Sequence, residues 1–279
     1  MTSLDQAKAV RRGESLEAVK IAAYLKTTLP GLVGPATIRQ FHSGFSNLTY
    51  LIGLGDTELV LRRPPFGRRA KSAHDMSREY RILKALKSVF PHVPEPLVYC
   101  DDPAVMDTPF YVMERLRGVI LRKEPPDATA FDAAAASRLC RRWVDLLGDL
   151  HSLDYQGCGL TDLGNPDGYV ARQIHGWSKR YRDARTDDVP DFETVMAWLC
   201  AGMPPDYSTP ALVHNDYKFD NVILDPADLT RIIGVLDWEM ATIGDPLMDL
   251  GASLAVSYTH LRAHETILPI AYAVFCWKN

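Results

Sequence analysis

Residues 212–221 of the chain read LVHNDYKFDN, and residues 234–239 read GVLDWE. Each stretch begins with a short apolar run, typical of a buried strand, and continues into polar residues. Asp216 and Asn221 follow the first run, and Asp237 follows the second. The pattern predicts that three oxygen-bearing side chains, each shortly after a short strand, meet at one site.

Such a set of groups is what phosphoryl transfer from a metal-bound nucleotide requires. One carboxylate accepts the proton of the attacking hydroxyl, while an amide oxygen and a second carboxylate hold the Mg²⁺ that bridges the phosphates. We therefore expect Asp216 to be the catalytic base, Asn221 and Asp237 to be the metal ligands, and Mg²⁺ and ATP to be bound. A third carboxylate at Asn221 would crowd negative charge and raise a pKa. An ordinary polar turn between strands is the alternative, which the combined motif disfavours.

These residues resemble the catalytic loop of the aminoglycoside-phosphotransferase-like (APH) kinase family, a branch of the protein-kinase-like fold. That loop usually reads His-Gly-Asp, and Asn215 replaces the Gly here without removing the base or the ligands. A narrower resemblance is to the kinase domain associated with acyl-CoA dehydrogenases and to its free-standing bacterial relatives, over about residues 16–254. The stretches that carry it are 41–50 (FHSGFSNLTY), 59–65 (LVLRRPP), 73–83 (AHDMSREYRIL), 108–114 (TPFYVME), 171–181 (ARQIHGWSKRY) and 244–250 (GDPLMDL).

The resemblance implies an α+β, protein-kinase-like two-lobed fold, and the periodicity of the chain agrees with it. We expect a small β-rich N-lobe over residues 1–115 and a larger α-helical C-lobe over residues 116–255, with the crossover near Arg115–Gly118. Alternation and helical spacing predict the following elements. The strands are 36–41, 48–54, 59–63, 97–100 and 110–114, and the helices are 15–29 (capped by Ser15), 72–90, 128–152, 165–183 and 192–200.

The N-lobe is expected to bind the nucleotide. Gly44 lies in a turn between two predicted strands, where a backbone without a side chain can approach phosphate oxygens. An ordinary hairpin turn explains this stretch equally well. The residues expected to contact the nucleotide here are Ser43, Gly44, Ser46 and Asn47, and those expected at the adenine hinge are Met113, Glu114 and Leu116.

Arg62 stands where kinases usually place a phosphate-binding Lys, as the resemblance implies. Arg is always charged and can hold a phosphate with two donors. Arg63 is the alternative, because a shift of one residue in strand register exchanges the two side chains between faces. Glu79, in the next predicted helix, is the expected ion-pair partner of Arg62, and a solvated helix charge is its alternative.

The expected acceptor is a small molecule with a hydroxyl group. The resemblance implies a hydroxyacyl-CoA thioester, and an aminoglycoside or another small alcohol is the alternative. Arg172 and Lys179 are either contacts for substrate anions or solvated charges on a helix. A nucleotide-binding pseudokinase is a further alternative, against which the intact set of Asp216, Asn221 and Asp237 argues. We expect Asp249 and Asp245 to brace the catalytic loop and cap the next helix, His214 to orient that loop, and His151 to be structural.

Composition excludes several classes of protein. The 279 residues are 47% hydrophobic and 24% charged, which is typical of a globular protein with a core. The net charge of −4 disfavours nucleic acid as a partner. The sequence has no apolar run of membrane-spanning length and no apolar signal core at its N-terminus, so we expect no membrane partner and a cytoplasmic location. Widely spaced cysteines agree with free thiols in a reducing compartment. The oligomeric state stays open.

Residues 256–266 read VSYTHLRAHET, which matches one reading frame of a transposase-type sequencing adapter. Much of residues 267–279 resembles the end of the same adapter. We therefore expect residues 256–279 to be a non-native tail and exclude them from the fold prediction. The C-lobe is then expected to be truncated after Leu254, without the helices that close its substrate side. A genuine apolar C-terminal helix is the alternative.

Overall fold

An antiparallel sheet of five strands forms the N-terminal half of the molecule. The computed structural model describes residues 5–42, 47–67, 75–122 and 131–260, the last five of them as backbone only. The strand order is β1-β2-β3-β5-β4. The strands are β1 (Ala36–Phe41), β2 (Leu48–Leu54), β3 (Thr57–Arg63), β4 (Pro96–Cys100) and β5 (Phe110–Glu114). All five strands lie within two residues of the predicted positions.

Two helices cover opposite faces of this sheet. Successive side chains of a strand point to opposite sides, so a single strand can pack against both helices. Leu61 of β3 packs with helix α1 (Ala18–Thr28), whereas Val60 packs with helix α2 (Met76–Leu86). Asp75 caps α2 by accepting hydrogen bonds from the backbone of Ser77 and Arg78. The predicted cap of α1 is wrong: α1 starts after Glu17 without a side-chain cap, so Ser15 lies outside the first turn.

The C-lobe is mainly helical, as predicted, with two short two-stranded antiparallel sheets between its helices. The helices are α3 (Ala133–His151), α4 (Tyr169–Ala184), α5 (Glu193–Ala201) and α6 (Pro246–His260). Strand β6 (Ala211–Val213) pairs with β9 (Thr242–Gly244), and β7 (Val222–Leu224) pairs with β8 (Ile232–Val235). The catalytic-loop sequence lies between β6 and β7, at the side of the lobe that faces the sheet. The two-lobed α+β expectation is confirmed.

The linker between the lobes, residues 115–119, runs tightly against β7. Val119 and Leu224 exchange backbone hydrogen bonds of 2.9 and 2.8 Å. Gly118 permits this approach, because a Cβ on it would lie 2.3 Å from Ile223 Cγ2 and 2.4 Å from the Leu224 carbonyl oxygen. Any larger side chain would therefore push the linker away from the C-lobe.

None of the described helices combines the length and the apolar character that crossing a membrane requires. Helix α6 continues to His260, five residues into the stretch that resembles an adapter. Residues 261–279 lie outside the described part of the chain. The predicted non-native origin of residues 256–279, and with it the truncation of the C-lobe, stays a prediction.

Candidate active site

A cleft of about 560 Å³ lies between the sheet and the helical lobe. Its walls bring together most of the residues selected from the sequence. Those that line it are Asn47, Arg62, Met113, Glu114, Leu116, Asp216, Asn221 and Asp237. Glu79 lies directly behind Arg62, outside the cleft wall. Ser43, Gly44 and Ser46 belong to residues 43–46, which lie outside the described residues.

The side chain of Asp216 is held at both carboxylate oxygens. Lys218 Nζ lies 2.8 Å from Oδ1, and Asn221 Nδ2 lies 2.8 Å from Oδ2 and 2.9 Å from the Asp216 carbonyl oxygen. Because the amide nitrogen of Asn221 makes both bonds, its amide oxygen is left as an acceptor for another group. The loop therefore presents one oriented carboxylate and one amide oxygen to the cleft.

Aromatic packing anchors this loop to helix α3. Trp143 stacks on the rings of Tyr217 and Phe219, with ring centroids 4.6 and 5.3 Å apart. The hydroxyl of Tyr217 also donates to the carbonyl of Trp143 at 2.9 Å. Since all three rings are buried, Asp216 and Asn221 project from a rigid base.

Asp249, from α6, holds the start of the loop from below. Its fully buried carboxylate accepts hydrogen bonds from the backbone N–H groups of His214 and Asn215, both at 2.8 Å, and lies 3.0 Å from His151 Nε2. Burial opposes its ionisation, but these donors outweigh burial and hold the pKa of Asp249 below its ordinary value. The bracing role of Asp249 and the structural role of His151 are confirmed. Asp245 caps α6 through the N–H of Leu247 at 2.8 Å.

His214 ties the catalytic loop to the second motif. Its Nδ1 accepts from the N–H of Asp216 at 3.2 Å, and its Nε2 lies 3.0 Å from the carbonyl of Leu236. Complete burial lowers the pKa of His214, so the neutral ring donates from Nε2. This arrangement confirms that His214 orients the loop through the backbone.

The replacement of Gly by Asn215 has a conformational explanation. Asn215 has φ of 61°, a left-handed conformation that glycine adopts freely and asparagine tolerates better than most residues. Its side chain adds two bonds that glycine lacks, accepting from the Tyr169 hydroxyl at 3.0 Å and donating to the Met240 carbonyl at 3.1 Å. The departure from the family pattern therefore keeps the shape of the loop.

Arg62 joins Glu79 of α2 to Asp237 of the second motif. Its two terminal nitrogens lie 2.9 Å from Glu79 Oε1 and 2.9 Å from Asp237 Oδ1. The structure thus places Arg62, and not Arg63, at the cleft and beside Glu79, since Arg63 points to the other face and contacts the carbonyl of Pro64 and Asp107. Burial disfavours the Asp237 carboxylate, but Arg62 outweighs burial and lowers the pKa of Asp237.

Glu79 is almost fully buried, and its surroundings disfavour the ionised form of its carboxyl group. Burial raises the pKa of Glu79 to about 7, against the attraction of Arg62 and with further repulsion from Asp237 and Glu239. The backbone N–H of Trp238 donates to Glu79 Oε1 at 3.2 Å. A carboxylate that is so placed couples helix α2 to the loop that carries Asp237.

The donor set suits a Mg²⁺ ion bound together with phosphates. No group of three or more His, Cys, Asp or Glu residues among the described residues could hold a metal alone. Asn221 and Asp237 offer one neutral and one charged oxygen at the cleft. Mg²⁺ prefers oxygen ligands, keeps several waters and is commonly bound by one or two protein groups plus substrate phosphates. Asp237 has φ of 68°, a strained conformation of the kind that occurs at functional sites.

The other end of the cleft is apolar and adjoins the linker. Phe41 and Val60 approach from the sheet, and Ile223 and Leu236 approach from the C-lobe. The side chain of Glu114 is already engaged by Lys87 Nζ and the N–H of Glu95, both at 2.7 Å. The backbone of Arg115 and Leu116 has no hydrogen-bond partner within the described part of the chain. A flat base can therefore meet backbone donors and acceptors between apolar walls.

The sequence did not identify four further residues that line the cleft. Lys218 stands two positions after Asp216, where its charge beside the motif was a usable signal. Asn47 Nδ2 donates to Glu239 Oε2 at 2.6 Å across the cleft, and Glu239 was not selected. Asp5 and Arg122 line the linker side and had no sequence signal.

The two basic residues of α4 that were left open do not reach the cleft. The guanidinium of Arg172 bonds the carbonyls of Asn165 and Asp167, and Lys179 pairs with Asp183 at 2.6 Å. Both charges are thus satisfied locally, which favours the solvated-helix interpretation.

Comparison with known proteins agrees with this geometry. The family model described as "Phosphotransferase enzyme family" (APH) matches residues 37–271. Acyl-CoA dehydrogenase family member 11 of Gallus gallus is 38% identical over 246 residues, which are 86% of this chain and 31% of that protein. The chain therefore spans about a third of the length of this relative.

Solved structures show the same fold. A putative aminoglycoside phosphotransferase from Ralstonia eutropha JMP134 has a TM-score of 0.75 at 28% identity, over 92% of this chain and 77% of that one. The streptomycin–ATP–APH(2")-IIa ternary complex has a TM-score of 0.62 at 18% identity, over 93% and 82%. The family model covers most of the chain, and its defining loop lies in the cleft between the lobes. The chain belongs to the APH phosphotransferase enzyme family.

Proposed function

We propose that the protein transfers the γ-phosphoryl group of Mg-ATP to a hydroxyl group of a small molecule. Phosphoryl transfer to small molecules is the chemistry of its family. The observation that carries the proposal is the meeting of Asp216, Asn221, Asp237 and Arg62 in one cleft. Together they offer a proton acceptor, two metal-ligand oxygens and a fixed positive charge, which are the groups that this reaction needs.

Asp216 is proposed as the base that accepts the proton of the acceptor hydroxyl. Lys218 and Asn221 hold its two oxygens from the side, so the carboxylate keeps one orientation while its remaining lone pairs face the cleft. Lys218 would also stay close to the transferred group and offset its negative charge. Catalysis by these residues is mainly positioning and charge stabilisation, without a covalent enzyme intermediate.

Arg62 is proposed to bind the phosphates, with Asn221 and Asp237 as the residues that would hold Mg²⁺. Bound Mg²⁺ would neutralise phosphate charge. Arg62 is suited to this role because Glu79 holds one terminal nitrogen of its guanidinium and Asp237, at the cleft wall, holds the other. Ser43, Gly44, Ser46 and Asn47 are proposed to contact the phosphates from the turn between β1 and β2.

The adenine ring is proposed to lie at the linker, between the apolar walls and against the backbone of residues 113–116. The side chain of Glu114 is turned away, so the backbone and not the side chain would recognise the base. ATP in the structurally similar APH(2")-IIa complex supports this choice of nucleotide. A cytoplasmic location, where ATP is abundant, belongs to the same proposal.

The proposed acceptor is a hydroxyacyl-CoA. The support is the similarity to acyl-CoA dehydrogenase family member 11. The chain matches 31% of the length of that protein. Phosphorylation would turn a poor leaving group into a good one, which suits a later elimination. An aminoglycoside is the second candidate, because the Ralstonia structure is described as a putative aminoglycoside phosphotransferase.

A side-by-side assay of ADP release separates the candidates. The acceptors are a 4-hydroxyacyl-CoA, a panel of aminoglycosides and choline, each with Mg-ATP at saturation. We expect ADP release with the 4-hydroxyacyl-CoA well above the rate without acceptor, and formation of the phosphorylated thioester by mass spectrometry. Activity on an aminoglycoside alone would overturn the CoA assignment. ATP binding without turnover on any acceptor would favour a pseudokinase.

A further inference from the structure

The first described residues form a strap along the edge of the N-lobe sheet. Lys8 pairs with Gln40 of β1 through two backbone hydrogen bonds of 2.8 and 2.9 Å. The N–H of Arg11 donates to Gln40 Oε1 at 2.9 Å, and the Gln40 amide donates to the carboxylate of Glu14. We call residues 5–14 the N-terminal strap. These bonds attach the strap to β1, the strand at one edge of the sheet.

The other end of the strap reaches the cleft. The N–H of Asp5 donates to the carbonyl of Gly118 in the linker at 3.1 Å. Its carboxylate meets both terminal nitrogens of Arg122, at 2.6 and 3.4 Å. Both side chains line the cleft, and they are 24% and 34% exposed. A carboxylate and a guanidinium are therefore presented together to whatever occupies the cleft.

The pair lies at the end of the cleft that is proposed to bind adenine. Its backbone anchor, Gly118, lies two residues after Leu116, the last of the residues proposed to face the base, and both residues line the cleft. Arg62, which is proposed to bind the phosphates, instead contacts Glu79 of α2 and the proposed metal ligand Asp237. In a nucleotide, the sugar is attached directly to the base. The group nearest to Asp5 and Arg122 would then be the ribose.

The chemistry of the pair fits two neighbouring hydroxyl groups. A hydroxyl both donates and accepts hydrogen bonds, whereas a carboxylate only accepts and a guanidinium only donates. The two oxygens of Asp5 have about four lone-pair sites between them, and Arg122 occupies only part of these. Hydrogen bonds to such charged groups are stronger than those between neutral partners.

We propose that Asp5 and Arg122 form a subsite for the 2′ and 3′ hydroxyl groups of the nucleotide, so that the N-terminal strap is part of the nucleotide site. The inference rests on the proposed function of the cleft. A nucleotide that holds Asp5 also holds the strap against the linker, and a docked strap presents Asp5 to the nucleotide. Binding and docking therefore stabilise each other.

Calorimetric titration of the full chain with ATP and with 2′,3′-dideoxy-ATP tests this subsite, because the two ligands differ only in the hydroxyl groups. The variants are Asp5→Asn and Arg122→Gln. Asp162→Asn is the matched control, since Asp162 pairs with Arg81 at 2.7 Å across the lobes but does not line the cleft. A thermal melt of each variant checks that it is folded, and binding is read without any acceptor or turnover.

We expect the wild type and Asp162→Asn to bind ATP about tenfold more tightly than the dideoxy nucleotide. In Asp5→Asn and Arg122→Gln, we expect this ratio to fall toward one, mostly through weaker ATP binding. Equal binding of both nucleotides by the wild type would overturn the subsite but leave the proposed phosphotransfer intact. An equal loss for both nucleotides in the variants would show that the pair is only structural. Binding of neither nucleotide by the wild type would overturn the proposed function as well.

Discussion

At the scale of single residues, the site depends on side chains that each make two contacts. Arg62 touches Glu79 and Asp237, each at 2.9 Å, with different nitrogens of one planar group. Lysine carries a single nitrogen on a flexible stem and cannot reproduce this fork. The choice of arginine therefore links the orientation of the metal-ligand candidate Asp237 to helix α2.

Replacing Arg62 by Lys should lower kcat/KM for ATP by about 10- to 100-fold, because one of the two charge-assisted bonds is lost. Steady-state kinetics at varied ATP concentration measure this change. Arg81→Lys, at an exposed pair with Asp162, is the control and should leave kcat/KM within about twofold. Unchanged kinetics in Arg62→Lys would contradict the bridging role.

Glu79 should give the reaction a pH dependence near neutrality. Its pKa is raised to about 7, so acidification below pH 7 protonates it and removes the charge that holds Arg62. We expect kcat/KM for ATP to fall from pH 8 to pH 6, and Glu79→Gln to be slower and flat over this range. A wild-type kcat/KM that does not fall between pH 8 and pH 6 would contradict this role of Glu79.

The same pKa shift acts on folding with the opposite sign. The pKa of Glu79 lies above its ordinary value of 4.5, so the ionised form is less favourable in the folded protein than in the unfolded chain. Its contribution to stability is fully present below about pH 4.5 and is lost as the pH rises through about 7. Denaturant melts of wild type and Glu79→Gln should therefore diverge as the pH rises toward 8.

The backbone at Asn215 allows a comparison of glycine and alanine. Asn215→Gly and Asn215→Ala lose the same side-chain bonds, but only alanine is strained at φ of 61°. Alanine should be less stable than glycine by about 1 kcal/mol in urea unfolding. At Arg141, exposed in the middle of α3, the same two substitutions should show the reverse order. The same order of stability for glycine and alanine at Asn215 and at Arg141 would refute the conformational explanation.

At the scale of elements, helix α6 supports the catalytic loop. Asp249→Ala leaves the N–H groups of His214 and Asn215 and the ring of His151 without their common acceptor. We expect a loss of about 3 kcal/mol or more in the free energy of unfolding, measured by chemical denaturation. Asp245→Ala removes only the cap of α6 and should cost about 1 kcal/mol. Similar losses in both variants would contradict a special role of Asp249.

How far the sequence predicts this molecule depends on the separation of the interacting residues. Alternation placed β1 to β5 and put Arg62 and Arg63 on opposite faces, and the spacing of Asp216 and Asn221 identified the loop. Helix starts were less predictable, because Ser15 offers a cap that α1 does not use. These features are encoded locally, within one element or one turn.

Contacts between distant residues left no comparable signal. Asn47 and Glu239 are 192 residues apart, and Asp5 and Arg122 are 117 apart. Only the packing of the chain brings each pair together. Asn47 and Glu239 belong to two separate motifs that do not indicate their pairing, and Asp5 and Arg122 belong to none. The positions of the linker and the N-terminal strap therefore determine the parts of the cleft that the sequence did not predict.

At the scale of the whole molecule, the cleft is built where two lobes meet, and each lobe contributes an incomplete set of groups. The sheet and α2 supply Arg62 and Glu79, while the C-lobe supplies Asp216, Asn221 and Asp237. Gly118 lets the linker hold the lobes at this distance. The proposed division at residue 115 and the truncation of the C-lobe stay predictions.

The most direct test of the account is ADP release by Asp216→Asn in the full chain, with the best acceptor found for the wild type. Asparagine keeps the shape of the side chain but cannot take the proton, so turnover should fall by about 100-fold or more. Calorimetry should show ATP binding within about threefold of the wild type, because the phosphate and adenine contacts remain. Turnover at the wild-type rate in Asp216→Asn would contradict the role of Asp216 as the base and, with it, the proposed phosphotransfer.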